Sequence, residues 1–407
     1  MDVNPQELAV WSASGMTSPR GNVIRLTIAQ ALAGANSTVV YATGAIIGDM
    51  LAPNHGLATL PITVFVVGMA ALSLPAGAIA QRYGRRAAFL LGTACGVLVG
   101  LLAAIAVAKG SFWLFCAAMF FGGAYAAVVL SFRFAAADCV PANQRARALS
   151  LVMAGGVVAG VIGPQLVTLT MNVWPPYTFV ATYLAQAAVA AVAGLVLLGV
   201  RIPMPSEKEA SMGRPLVVIG RQRSFLVAVV CAIVSYLLMN FLMTAAPLAM
   251  QMCGLSRSSA NLGIQWHVIG MYAPGFFTGW LISRFGARIV VIAGLVLIAL
   301  AATVGLHGVD TPHFWLTLIL LGVGWNFGFV GASALVLECH RPEEKAKVQS
   351  FNDFLVFGTM AVGSFMSGSL LTTFGWQSVL RLTFVPMVLV TCVLLVSSMI
   401  RRPSPPQ

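Results

Sequence analysis

Residues 77–86 read GAIAQRYGRR, and 202 positions further on residues 279–288 read GWLISRFGAR. Both copies carry a glycine, an arginine five positions later, a second glycine and a closing arginine: Gly77, Arg82, Gly84 and Arg86, then Gly279, Arg284, Gly286 and Arg288. Other matches keep nearly the same register. Gly68-Met69 answers to Gly270-Met271, Asp138-Cys139 to Glu338-Cys339, Arg145-Ala146-Arg147 to Lys345-Ala346-Lys347, and Gly163 to Gly363. Several matches in register with the same charge sign identify a duplicated chain, and a repeat of this length makes each half a folding unit.

The sequence around the two copies is apolar: of 407 residues 59% are hydrophobic and 8% charged, against about 25% charged in ordinary soluble domains. About 20 apolar residues cross a hydrocarbon core, and twelve such spans can be drawn, near 26–48, 58–80, 87–107, 112–136, 149–171, 177–199, 225–250, 261–282, 288–306, 314–337, 348–373 and 379–400. Backbone groups in lipid must be satisfied within the segment and the spans lack strand-like alternation, so the expected fold class is an all-α membrane protein. A polar stretch with Pro203, Pro205, Ser206, Glu207, Lys208, Glu209 and Arg214 separates six spans from six. The expected organisation is a tail at 1–24, a six-helix bundle at 25–200, a linker at 201–223, a second bundle at 224–400 and a tail at 401–407. An even number of spans per half makes the halves parallel repeats about an axis along the membrane normal, the organisation of secondary transporters.

The net charge of +12 is a matter of topology. With the N-terminus inside, Arg20, Arg25, Arg82, Arg85, Arg86, Arg145, Arg147, the linker, Arg284, Arg288, Arg341, Lys345, Lys347, Arg401 and Arg402 fall on the cytoplasmic side, and only Lys109, Arg257 and Arg381 fall opposite. This positive-inside bias places both termini in the cytoplasm and leaves no basic surface for nucleic acid. Asp2 and Glu7 precede any apolar run, which reads as a polar tail and not as a cleaved signal. Seven cysteines without C-x-x-C spacing read as packing residues, with no metal site or disulfide framework expected. No G-x-x-x-x-G-K-[ST] and no H-E-x-x-H is present, which excludes a nucleotide-driven motor on this chain and leaves no constellation for a membrane enzyme.

With twelve spans, a six-plus-six repeat, a central linker and the loop signature G-x-x-x-D-R-x-G-R-R in a variant form, the chain resembles the major facilitator superfamily over its whole length. The resemblance implies two bundles around a central cavity, lined by spans 1, 4, 7 and 10, that opens alternately to either side. It also implies a gating role for Gly77, Arg82, Gly84, Arg85 and Arg86. The chain departs from the family where the signature's acid is replaced by Gln81 and, in the second copy, Ser283. Asp353, at the start of span 11, is either a substitute partner for the loop arginines or a solvated helix-start acid.

Span 4 carries Arg133, five residues from Asp138; it either snorkels to the inner interface or forms an ion pair, or it takes part in proton coupling. Asp138 beside it and His267 in span 8 are the other proton-coupling candidates; for His267 the competing reading is a buried neutral packing residue. Gly160, Gly163 and Pro164 in span 5 hold part of an antiporter-like pattern. No charge falls at the predicted centre of any span, so the expected cavity is neutral. Its candidate lining is Gln30, Asn36 and Tyr41 in span 1, Tyr125 in span 4, Tyr236 and Asn240 in span 7, and Trp325 and Asn326 in span 10. Such groups suit an uncharged, partly aromatic, hydrogen-bonding solute, and each can equally bond helix to helix. A charged solute would be left unpaired there. The sequence as a whole is similar to the riboflavin-uptake branch of the superfamily, which implies a flavin cargo; the alternative is a proton-driven exporter of drugs or metabolites. A small-molecule substrate, membrane lipid and protons are the expected partners of a monomeric chain in a bacterial inner membrane, with no cofactor.

Overall fold

A computed structural model describes residues 19–53, 57, 60–202 and 213–399. The tail residues 1–18, linker residues 203–212 and residues 400–407 lie outside it, and with them Ser206, Arg401 and Arg402. Among the described residues the regular structure is helical throughout. In the first half these helices are α1 (Pro19–Leu51), α2 (Leu60–Tyr83), α3 (Arg85–Ala108), α4 (Phe112–Asp138), α5 in two segments (Arg145–Ala154 and Gly156–Thr170) and α6 (Val180–Leu198). The second half follows with α7 (Arg223–Met252), α8 in two segments (Arg257–Tyr272 and Gly275–Phe285), α9 (Ala287–His307), α10 (Thr311–Leu337), α11 (Lys345–Leu382) and α12 (Phe384–Met399).

Among the described residues ten helical stretches are long and apolar enough to cross a membrane. α8, broken at Ala273 and Pro274, and the first part of α11, with its polar Gln349, Asn352 and Asp353, complete the twelve-helix arrangement. Several helices outrun the expected spans by a turn or more, because the apolar windows end where the first polar residue appears while the backbone continues. The last boundary falls inside the expected gap between 373 and 379: the eleventh span runs to a kink at Gly375, whose φ of 75° breaks the helix, although regular helix resumes up to Leu382. Local capping explains other ends. Asp310 accepts from the His313 amide at 3.3 Å with Pro312 in the first turn of α10, and Ser256 accepts from the Ser259 amide at 3.1 Å at the start of α8.

The duplicated signature forms the same corner twice. α2 turns into α3 on the single residue Gly84 at φ 85°, and α8 turns into α9 on Gly286 at φ 87°. A side chain would strain either position. Many large apolar side chains remain exposed, among them Trp113, Leu195, Phe276 and Val385, more apolar surface than a soluble monomer shows and suited to lipid. A short helix, Leu216–Gly220, ends the linker. Just before it, Arg214 docks on the turn before α11: its Nε and Nη2 donate to the two Glu344 carboxylate oxygens at 2.7 Å each, and its amide donates to Oε1 at 2.9 Å. The Arg214 hydrogen bonds hold the Glu344 carboxyl down at about 2.

Candidate functional site

The bundles meet at the end bearing the basic loops, along two seams. In the α5–α8 seam Ser150 Oγ donates to the Gly275 carbonyl at 2.5 Å and accepts from the Gly279 amide at 2.9 Å. In the α2–α11 seam Ser350 sits against Gly77 so closely that a β-carbon there would lie 1.8 Å from its Oγ. The first glycine of each signature copy is therefore the seat for a serine of the opposite bundle, and the two serines are 200 positions apart.

Among the described residues charge locks only one seam. Arg85 Nη2 donates to Asp138 Oδ2 at 2.5 Å and to Gln349 Oε1 of the other bundle, with Lys345 Nζ 3.9 Å from the same carboxylate. Arg82 and Arg86 are exposed, Arg82 lying over the Tyr83 ring. Of the three loop arginines, Arg85 is the one turned into the interface. It does not take Asp353 as its partner.

That acid belongs to Arg133. Arg133 is fully buried: Nη2 donates to Asp353 Oδ1 at 2.6 Å, Nε to Ser333 Oγ at 3.2 Å, and Nη1 to the Leu130 carbonyl. The snorkelling reading of Arg133 and the solvated reading of Asp353 are both corrected here, because the second bundle closes over α4 where the sequence alone leaves it facing an interface. The interior is also not free of charge, since this ion pair bridges the bundles.

Above the pair stands an aromatic cluster. The guanidinium of Arg133 lies 4.6 Å from the Phe329 ring centre, a cation–π contact. Phe329 stacks on Trp325 at 5.2 Å and 18°. Tyr236 meets Trp325, Phe329 and Phe357 edge-on, and Tyr272 meets Trp325 edge-on at 5.7 Å. Tyr41 from the first bundle is close enough for electrostatic interaction with Tyr272 and Tyr236. Tyr272 also lies against Gly156 of α5, so these tyrosines bring α1, α5, α7 and α8 to one place. On the expected lining, Gln30 Oε1, Asn36 Nδ2, Tyr125 Oη, Asn240 Nδ2 and Trp325 Nε1 are buried without a hydrogen-bond partner among the described residues.

The remaining candidates face elsewhere. Asn36 Oδ1 accepts from Gln186 Nε2 of α6, within its own bundle. Tyr125 packs on Gly96 of α3. Asn326 ties α10 to α8, accepting from Thr278 at 2.7 Å and donating to the Met271 carbonyl at 2.6 Å. His267 is held by the Leu318 carbonyl at 2.7 Å, wholly buried between α8 and α10. Asn36, Asn326 and His267 therefore bond a neighbouring helix, the competing reading for each, and Tyr125 packs on one with its hydroxyl unpartnered, so these four do not gather at the cluster. Sequence reasoning passed over Tyr272, Phe329, Phe357, Ser150, Ser350 and Gln349. Ser150 and Ser350 carried a signal, being related by the repeat; Tyr272 follows the repeated Gly270-Met271 directly.

The sequence profile of the Major Facilitator Superfamily matches residues 26–231 and again 228–407. The chain belongs to this superfamily. It is 45% identical over 383 residues to the riboflavin transporter RfnT of Brucella anthropi, covering 93% of this chain and 96% of that one. It is 30% identical to the MFS-type transporter YddS of Bacillus subtilis, covering 89% of each. Among solved structures, the proton:xylose symporter XylE superposes with a TM-score of 0.75 at 12% identity over 94% of this chain and 95% of that one. The fucose transporter FucP gives 0.71 at 14% identity over 93% and 98%; both likenesses speak to the fold. The protein is a multi-pass membrane transporter and not an enzyme.

Proposed function

We propose that this transporter takes up riboflavin across the bacterial inner membrane by alternating access, as a monomer with both termini and the linker in the cytoplasm. The likeness to RfnT over nearly the full length of both chains carries this reading. The aromatic cluster supports it chemically, because a flavin ring system offers a flat face to Tyr41, Tyr236, Tyr272 and Trp325. The hydroxyls of its ribityl chain can satisfy Asn240 Nδ2 and Gln30 Oε1, buried atoms without a hydrogen-bond partner among the described residues. The positive-inside bias supports the orientation, and it makes the clamped end the cytoplasmic one.

The test is growth and labelled-riboflavin uptake in a bacterium that cannot synthesise the vitamin, with and without this gene. Riboflavin-dependent growth at low external vitamin and saturable uptake are expected. Failure of both, together with extrusion of drug-like dyes, would favour the exporter reading instead.

A further inference from the structure

α7 carries Pro247 inside a spanning helix. Proline has no amide hydrogen, so the Met243 carbonyl, four residues before it, has no helical donor and is crowded by the ring. Thr244, the next residue, adds a second open group. Thr27, Thr43, Thr93, Thr278 and Thr359 each donate to the carbonyl four residues before them, whereas Thr244 Oγ1 is buried without a hydrogen-bond partner among the described residues. Thr317 is the other threonine in that condition, and it lies against Gly305 of α9. One turn before Thr244, Asn240 is 2% exposed and leaves its Nδ2 in the same state.

Tyr236, Asn240, Met243, Thr244 and Pro247 fall at i, i+4, i+7, i+8 and i+11, which is one face of α7. Tyr236 turns that face to the aromatic cluster through Trp325, Phe329 and Phe357. Within the cluster Trp325 and Phe329 are closed off, while Tyr41 and Tyr272 are half-buried and offer the reachable rings. The open polar groups therefore begin one turn beyond an aromatic seat and continue for about 6 Å along the helix axis. The first bundle differs. At the corresponding places of α1 stand Asn36, Val40 and Thr43, and Thr43 Oγ1 is spent on the Val39 carbonyl at 2.8 Å and on Tyr183 Oη at 2.9 Å.

We propose that this face of α7 is a polyol subsite, with Thr244 as a specificity-determining residue for a planar solute that carries a hydroxylated chain. The subsite rests on the riboflavin reading and sharpens it, laying the ring on Tyr41 and Tyr272 and the ribityl chain along α7. Asn240 Nδ2 donates to a chain hydroxyl, the Met243 carbonyl accepts from one, and Thr244 Oγ1 does either. A flat solute without hydroxyls leaves all three groups unpaired, and a site built to bond hydroxyls discriminates against such a solute for that reason. All three groups belong to the second bundle, so the polar end of the solute is held by that bundle while the ring lies between Tyr41 of the first bundle and Tyr272 of the second.

The test is the binding of two flavins to the purified full-length protein, read by flavin-fluorescence quenching: riboflavin, and lumiflavin, the same ring with a methyl group in place of the ribityl chain. The unaltered protein should bind riboflavin the more tightly. Thr244→Val, which keeps the branched shape and removes the hydroxyl, should weaken riboflavin binding about 5-fold to 150-fold, the loss of one buried hydrogen bond, and leave lumiflavin affinity unchanged. Thr244→Ser should restore riboflavin binding. Equal affinity for the two flavins in the unaltered protein overturns the subsite, and that arm does not depend on any variant folding. A Thr244→Val loss that is absent, that is equal for both flavins, or that Thr244→Ser does not repair overturns it as well, and each of these results leaves riboflavin uptake standing. A protein that binds neither flavin overturns the riboflavin reading and the subsite together.

Discussion

Replacing Gly77 by alanine tests the seam between α2 and α11. A β-carbon at this position would lie 1.8 Å from Ser350 Oγ, 2.4 Å from Ser350 Cβ and 3.3 Å from the Ala346 carbonyl. The hydroxyl can rotate away, but the Ser350 β-carbon is fixed to its helix and stands about 1 Å inside ordinary contact distance. α2 and α11 must therefore draw apart at this point. Overpacking of this size costs about 1–3 kcal/mol, and the whole cost falls on the clamped form because the seam exists only there. The ratio of clamped to opened molecules should drop about 5-fold to 150-fold. The assay is the labelling rate of a cysteine placed at Ala80, buried in the same seam, by an impermeant thiol reagent applied to inside-out vesicles. Faster labelling in Gly77→Ala is expected, with Gly279→Ala giving the same sign on the α5–α8 seam, where the new β-carbon would meet Arg147 Cα at 2.6 Å. Labelling and transport both unchanged in Gly77→Ala would refute the idea that the serine–glycine seats hold the bundles together.

Arg85→Ala removes the bond to Gln349 and leaves Asp138 with Lys345 at 3.9 Å; breaking a buried pair from one side costs about 3–5 kcal/mol, so transport should slow while solute affinity measured by calorimetry changes little. Glu344→Gln should free the linker end, read as faster hydrogen exchange at the Arg214 amide. Because the Glu344 carboxyl is held at about 2, below its ordinary value, docking is complete above the usual glutamate range and lost only as pH falls toward 2; protection that survives Glu344→Gln at neutral pH would remove the carboxylate's role. Under the riboflavin reading, Asn240→Ala should weaken binding about 5-fold to 150-fold, the loss of one buried hydrogen bond at about 1–3 kcal/mol. Trp325→Ala should weaken flavin-fluorescence quenching more than Trp325→Phe, and equal quenching in both would argue against stacking on that ring.

The helical class, the duplication and the glycine corners were legible in the sequence because each depends on local composition. Apolar length predicts a span, and a repeated glycine predicts a repeated turn; Gly84 and Gly286 adopt nearly the same φ. The facing of single polar residues was not legible. Asn36 and Asn240 occupy similar places in the two halves and both leave Nδ2 buried without a partner, yet Asn36 turns its Oδ1 to accept from Gln186 of its own bundle. Which way such a residue turns depends on which neighbouring helix offers a partner, and that is a property of the packed bundle. Arg133 shows the same limit for charge. Five residues from a helix end suggests solvent, and only the opposite bundle makes the position an interior.

The two seams differ in a way that bears on how the molecule moves. Arg85 has no counterpart in the second copy, where Ala287 stands in its place, so the α2–α11 seam carries a charged bolt and the α5–α8 seam only a neutral one. Two rigid bodies fastened unequally along two edges do not swing apart evenly: the edge with the weaker fastening yields first and the other serves as the pivot. A duplicated protein thus need not open along its own axis of symmetry. The sequence difference at one position in each copy is enough to make one edge the door and the other the hinge post.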